Sequence, residues 1–224
     1  MTLNAFIFDL DGTLVDTELL WADAMNAYLT EHGCECSKEV LLHIVFGRSW
    51  IDIYHDITQR FPHLATTPSR IMAEGLRTYY LRLRQQSEDV IIHSSATLLK
   101  RLARQRPVII VSGSPKADVE DAVRLIHAVN SVKFVLGAED YAPGKPSPAG
   151  FLLGAQRLGV PPANCLVFED SHAGVSAAKT AGMWCVALSR DIAHPQNLSA
   201  ADWVIPDLAD FSIDAFRQHV RARR

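Results

Sequence analysis

The stretch AFIFDLDGTLVDT, running from Ala5 to Thr17, decides the fold. Its apolar opening is too brief for a free-standing helix and ends abruptly in two carboxylates, Asp9 and Asp11, followed by Gly12 and Thr13. That pattern predicts a buried strand delivering both acids to the carboxyl edge of a sheet, where open α/β sheets bind their ligands. Two acids held together near neutral pH need a cation between them or a raised pKa on one of them. Either outcome is chemistry and not packing.

Beyond this strand the pattern changes. From Glu18 to about Glu88 the apolar positions Leu19, Leu20, Trp21, Met25, Tyr28 and Leu29 recur with a helical period, Pro62 and Pro68 divide the region, and no strand is expected. From about Val90 helices and strands alternate. Helices are predicted over 95–106, 116–129, 147–158 and 173–181, and strands over 107–111, 132–136, 165–168 and 184–188, with 203–205 as a possible edge strand. Short links between them imply an α/β fold, a doubly wound parallel-sheet (Rossmann-like) core covered on both faces. Residues 1–16 and 90–224 would form that catalytic core, with 17–89 inserted as an α-helical cap domain. An insertion leaving the active edge is placed to act as a lid.

The composition is that of an ordinary globular chain: 224 residues, 48% apolar, 21% charged, with a net charge of −3 that predicts no nucleic-acid partner. Lys100, Arg101, Arg104 and Arg106 cluster at helical spacing and read as a solvated helix face. Cys34, Cys36, Cys165 and Cys185 form no metal-binding pattern. Cys165 and Cys185 sit in apolar runs as small core residues, while Cys34 and Cys36 are too close for a normal disulfide. With no leader and no long apolar span, the expectation is a cytoplasmic protein with no membrane partner.

Three more polar groups follow predicted strands. They are Ser112-Gly113-Ser114-Pro115, the loop Gly144-Lys145-Pro146-Ser147-Pro148, and Glu169-Asp170-Ser171 ahead of His172. Paired acids, a hydroxyl among small neighbours, a cation and a second acid pair together suit phosphoryl transfer. Carboxylates can hold Mg²⁺, which prefers oxygen ligands and bridges to phosphate. A Lys, a Ser and backbone N–H groups can hold the equatorial phosphate oxygens, and a carboxylate can attack phosphorus.

These four motifs in this order resemble the haloacid dehalogenase superfamily, specifically its phosphatases and phosphomutases with a helical cap inserted after the first motif (the β-phosphoglucomutase-like branch). The resemblance covers essentially the whole chain. It implies Asp9 as the nucleophile and Asp11 as the general acid/base that protonates the leaving group. It implies Ser112, Gly113 and Lys145 as phosphate binders, Lys145 also steadying the nucleophile. Mg²⁺ would be anchored by Asp170 with Glu169, alongside Asp9 and the backbone carbonyl of Asp11. Asp16 reads as a hinge residue or helix cap, and Thr13 as loop support or a substrate contact.

Within the superfamily, Asp11 argues for phosphate chemistry over dehalogenation. The one lysine between Asp11 and Lys100 is Lys38, in a polar stretch, which disfavours a phosphonate hydrolase. The opening DGTLVDTE is the form common among phosphatases, and Trp21 stands where mutases of this branch commonly place a His. The resemblance therefore implies a Mg²⁺-dependent phosphatase acting on a small phosphate ester, a sugar or polyol monophosphate, through an aspartyl-phosphate. A hexose-phosphate mutase is the alternative, and a non-catalytic binding protein on this fold the third reading. Arg48, in the cap segment Gly47-Arg48-Ser49, would grip substrate, with Trp21 and Arg77 as further specificity candidates. A monomer or weak homodimer is expected.

Overall fold

The computed structural model describes residues 1–45, 50–86, 90–189 and 196–223. The strands are β1 (Ala5–Phe8), β2 (Val108–Val111), β3 (Val135–Leu136), β4 (Cys165–Glu169), β5 (Trp184–Leu188) and β6 (Trp203–Ile205). They pair in parallel in the order β3-β2-β1-β4-β5-β6. From β1 the chain moves outward through β2 to β3 and then returns to β4 on the other side of β1. The switch point therefore lies between β1 and β4, the kind of crevice in which α/β sheets bind ligands.

The chain separates into two compact units, Met1–Val15 with Ile91–Arg224, and Asp16–Val90. The helices of the second are α1 (Glu18–Glu31), α2 (Lys38–Val45), α3 (Trp50–Arg60) and α4 (Ser69–Gln86). Those of the first are α5 (His93–Ala103), α6 (Lys116–Leu125), α7 (Ala149–Leu158), α8 (His172–Thr180) and α9 (Ile213–Ala222).

Strands β1, β2 and β4 are buried along their whole length, which is why their sequences run apolar without alternation. The two faces nevertheless differ in size. Phe6, Phe8, Ile110, Leu166 and Phe168 pack on one side against Leu98 and Leu99 of α5 and Phe216 of α9. There Phe8 and Phe168 stack with ring centroids 4.5 Å apart. Ala5, Ile7, Val167, Cys185 and Ala187 face the other side, against Phe151 of α7 and Val175 of α8. The smaller residues let α7 approach closely: a Cβ on its Gly154 would lie 2.6 Å from Ile109 Cδ1.

The helical unit has a core of its own, including Met25, Leu29, Leu41, Ile44, Ile57, Met72 and Leu76. Pro62 opens a short 3-10 turn and Pro68 immediately precedes α4, so each proline falls at an element boundary. Trp21 stacks on Tyr80 at 4.1 Å, nearly parallel.

The largest shortfalls from expectation fall in two elements. The helix predicted over 116–129 ends at Leu125, because His127 enters the left-handed region at φ 53 and Ala128 N–H turns back to the Val123 carbonyl. The strand predicted over 132–136 contracts to Val135–Leu136, since Val132 N–H is still engaged by the Ala128 carbonyl of that turn. All four cysteines are free thiols. Burial pushes the Cys165 thiol up to about 11 and raises Cys185 as well. Among the described residues no helix is long and apolar enough to cross a membrane.

Candidate active site

Asp9 continues the line of β1, its N–H donating to the Phe168 carbonyl of β4 at 2.9 Å. The chain then turns sharply, with Leu14 N–H bonded to the Leu10 carbonyl and Gly12 N–H to the Val15 carbonyl. Gly12 sits at φ +82, and a Cβ there would lie 2.0 Å from Asp170 Oδ2, so both conformation and space require glycine. The buried Thr13 hydroxyl donates to Asp170 Oδ1 at 3.2 Å. Thr13 thus supports the loop by bracing an acid that follows β4.

The side of the site between β1 and β4 is ionic. Lys145, from the loop after β3, donates through Nζ to Asp9 Oδ1 and to Glu169 Oε1, the latter at 2.6 Å. The other Glu169 oxygen accepts from Asp170 N–H (2.9 Å), Ser171 N–H (2.8 Å) and the Ser171 hydroxyl (2.9 Å). That bonding leaves no room beside it: a Cβ on Gly174 would fall 1.6 Å from Glu169 Oε1. Burial pushes the Asp9 carboxyl up to about 8; Lys145 pulls against this, while Glu169 and Asp11 add to it. Burial works against the Lys145 ammonium too, but Asp9 and Glu169 hold it above the ordinary lysine value.

Oxygens of Asp9, Glu169 and Asp170 all lie within 4.8 Å of one another. The donors are all carboxylate oxygens, and Lys145 pairs with two of the three acids, Asp9 and Glu169. A hard divalent cation such as Mg²⁺ fits that donor chemistry.

The side between β1 and β2 is made of hydroxyls. Asp11 Oδ2 accepts from Ser114 Oγ at 2.6 Å and from Ser112 Oγ at 3.2 Å. Ser114 N–H in turn donates to Ser112 Oγ at 3.0 Å, and Tyr141 donates its phenol proton to the Ser112 carbonyl at 2.9 Å. Gly113 is exposed, with open space where a Cβ would be.

The structure thus gathers Asp9, Asp11, Ser112, Gly113, Lys145, Glu169 and Asp170 at one sheet edge. Arg48 lies outside the described residues, while Trp21 and Arg77 belong to the helical unit. Ser114 and Ser171 stand in the quoted motifs without an assigned role, and Tyr141 outside them; the signals are the spacing of two between Ser114 and Ser112 and the place of Ser171 ahead of a helix, which it caps by accepting from Gly174 N–H.

Comparison with known proteins is decisive for the family. A family model for haloacid dehalogenase-like hydrolases matches residues 3–182. The chain belongs to that family. Validoxylamine A 7'-phosphate phosphatase of Streptomyces hygroscopicus subsp. limoneus is 30% identical over 205 residues, covering 91% of this chain and 93% of that protein. Hexitol phosphatase A of Escherichia coli is 29% identical over 215 residues, covering 95% of each. In structure the chain resembles β-phosphoglucomutase of Clostridium difficile, with a TM-score of 0.77 at 23% identity over 99% of both chains. This haloacid dehalogenase-like chain is therefore a hydrolase whose relatives include named phosphatases.

Proposed function

We propose that the protein is a Mg²⁺-dependent phosphatase acting on a small phosphorylated metabolite, a sugar or polyol monophosphate. The observation that carries this reading is the pair of acids two residues apart, one held by a lysine and the other by hydroxyls. Asp9, oriented by Lys145, attacks phosphorus, forming an aspartyl-phosphate as the ester P–O bond breaks. Asp11 gives its proton to the leaving oxygen, then takes a proton from the water that attacks the aspartyl-phosphate. That second displacement releases inorganic phosphate and restores Asp9. Ser112, Gly113 and Lys145 bind the phosphate oxygens.

Asp9 and Asp170 would hold the cation, with the Asp11 carbonyl. Glu169 completes the oxygen group while its hydrogen bonds fix Lys145 and the Asp170 backbone. When bound, the cation supplies positive charge against the negative charge of the transferring phosphoryl group. Residues 16–90 act as the cap, Arg48 among them, and set substrate preference.

The test is phosphate release from a panel of sugar, polyol and small-acid phosphates with Mg²⁺, with Asp9→Asn as control. Release with a clear preferred substrate, absent in Asp9→Asn, supports hydrolysis. Rearranged sugar phosphate that depends on an added bisphosphate, with no phosphate release, would establish the mutase in its place.

A further inference from the structure

We propose that Ser114 is the positioning residue for Asp11, aiming its carboxyl group at the leaving oxygen; this rests on reading Asp11 as the acid/base. Ser114 is pinned on three sides. Its N–H donates to Ser112 Oγ at 3.0 Å, its carbonyl accepts from Ala138 N–H at 2.9 Å, and Pro115 restricts the backbone just ahead of α6. With its backbone held this way, Ser114 directs its hydroxyl to Asp11 Oδ2 at 2.6 Å across a sequence separation of 103. It is shorter than the 3.2 Å contact that Ser112 Oγ makes with the same oxygen.

The two serines therefore divide the work. Ser112, at 3.2 Å, turns its hydroxyl to a phosphate oxygen when substrate arrives, while Ser114 keeps its hold on Asp11. Because Oδ2 accepts from Ser114, the Asp11 carboxyl group is presented in one orientation. As the Asp9–phosphorus bond forms and the ester P–O bond breaks, the proton that Asp11 donates passes to the leaving oxygen. Ser114 loses no proton in the step; it fixes where the donor points, and misplaced donors are slow donors.

The readout is the dependence on leaving group. The ratio kcat/KM runs only through departure of the alcohol, so it isolates protonation of the leaving oxygen from later hydrolysis. An alkyl phosphate needs that proton; 4-nitrophenyl phosphate, with a good leaving group, does not. Ser114→Ala should lower kcat/KM roughly ten- to hundredfold on the alkyl ester and less than about threefold on the aryl ester. Ser114→Thr, which keeps the hydroxyl, should restore most of the difference, and Ser114→Gly repeats the test should alanine perturb folding. In Asp11→Asn, adding Ser114→Ala should cost nothing further on the alkyl ester, as expected of residues acting as a unit. Equal losses on both esters, or a full additional loss in the double variant, would overturn the inference while leaving Asp11 in its role. If Asp11→Asn itself shows no leaving-group dependence, the acid/base reading fails and this inference falls with it.

Discussion

Asp9 and Asp11 are two residues apart on one turn, yet their surroundings are opposite. Asp9 is only 6% exposed and meets an ammonium, whereas Asp11 is half-buried and is met by two hydroxyls. Burial raises Asp9 to about 8, with Lys145 the one ammonium opposing it. The difference teaches how one fold assigns two tasks to two identical side chains. An acid beside a fixed ammonium and a candidate cation site is suited to attack as the anion once that site is filled. An acid aimed by neutral hydroxyls is suited to gain and lose a proton.

The sharpest break of this asymmetry is Asp9→Asn, expected to lower turnover on the order of 10⁴-fold or more and to abolish phosphoenzyme formation. The fold should survive, because asparagine has the same volume and Lys145 keeps Glu169 as its partner. Quenched single-turnover reactions with ³²P-labelled substrate would check it; labelled protein from the variant would remove Asp9 from the nucleophile's role. Asp11→Asn is expected to be milder, about 10²–10⁴-fold, and to be milder still on aryl phosphates in the phosphorylation step. If both variants lost the same factor on an aryl ester, the division of labour between the two acids would be wrong.

Gly174→Ala disturbs the ionic side alone. Its Cβ would occupy the place of Glu169 Oε1, the oxygen that pairs with Lys145. The expected outcome is a destabilisation of about 1–3 kcal/mol from overpacking, with weakened Mg²⁺ binding by calorimetry. Asp11 and its serines should be untouched, so the ratio of alkyl to aryl ester rates should hold. A changed ratio would show that the two sides are coupled.

Much of this was legible in the sequence, for identifiable reasons. Continuous apolar runs ending in polar residues located β1, β2 and β4, and Trp184–Leu188 and Trp203–Ile205 stand where their patterns put them. The end of α6 and the start of β3 were not legible, because the turn through His127 and Ala128 draws apolar residues into backbone bonding that belongs to neither element. Asp9, Asp11, Lys145 and Asp170 announced themselves as charges at strand ends. Ser114 did not, since a serine in a turn reads the same whether it is solvated or aimed at a carboxylate. Its direction depends on Ala138, a residue beyond β3 that only the folded sheet brings near.

The smallest effect concerns a third acid, Asp140, which sharpens the contrast because its burial is overcome without a candidate cation site. Burial opposes its charge, but Gly137 N–H at 3.0 Å, Lys116 at 3.2 Å and Arg157 at 3.7 Å together hold its carboxyl below the ordinary value of 3.8. A carboxyl depressed in the folded state stabilises the protein above its ordinary pKa, and that contribution is lost as pH falls through the depressed value. Asp140→Asn keeps an acceptor for Gly137 but gives up the charge, so it should cost about 1 kcal/mol at neutral pH. Urea midpoints of the two proteins should therefore differ at pH 7 and draw together as the pH drops below 3.8. A gap unchanged at low pH would mean that Asp140 acts through shape alone. Asp9 should behave in the opposite sense in the metal-free protein, since its ionised form is the disfavoured one until pH passes about 8. Two acids of one unit would then move stability in opposite directions with pH, and the one that loses by being charged is the one positioned to attack phosphorus.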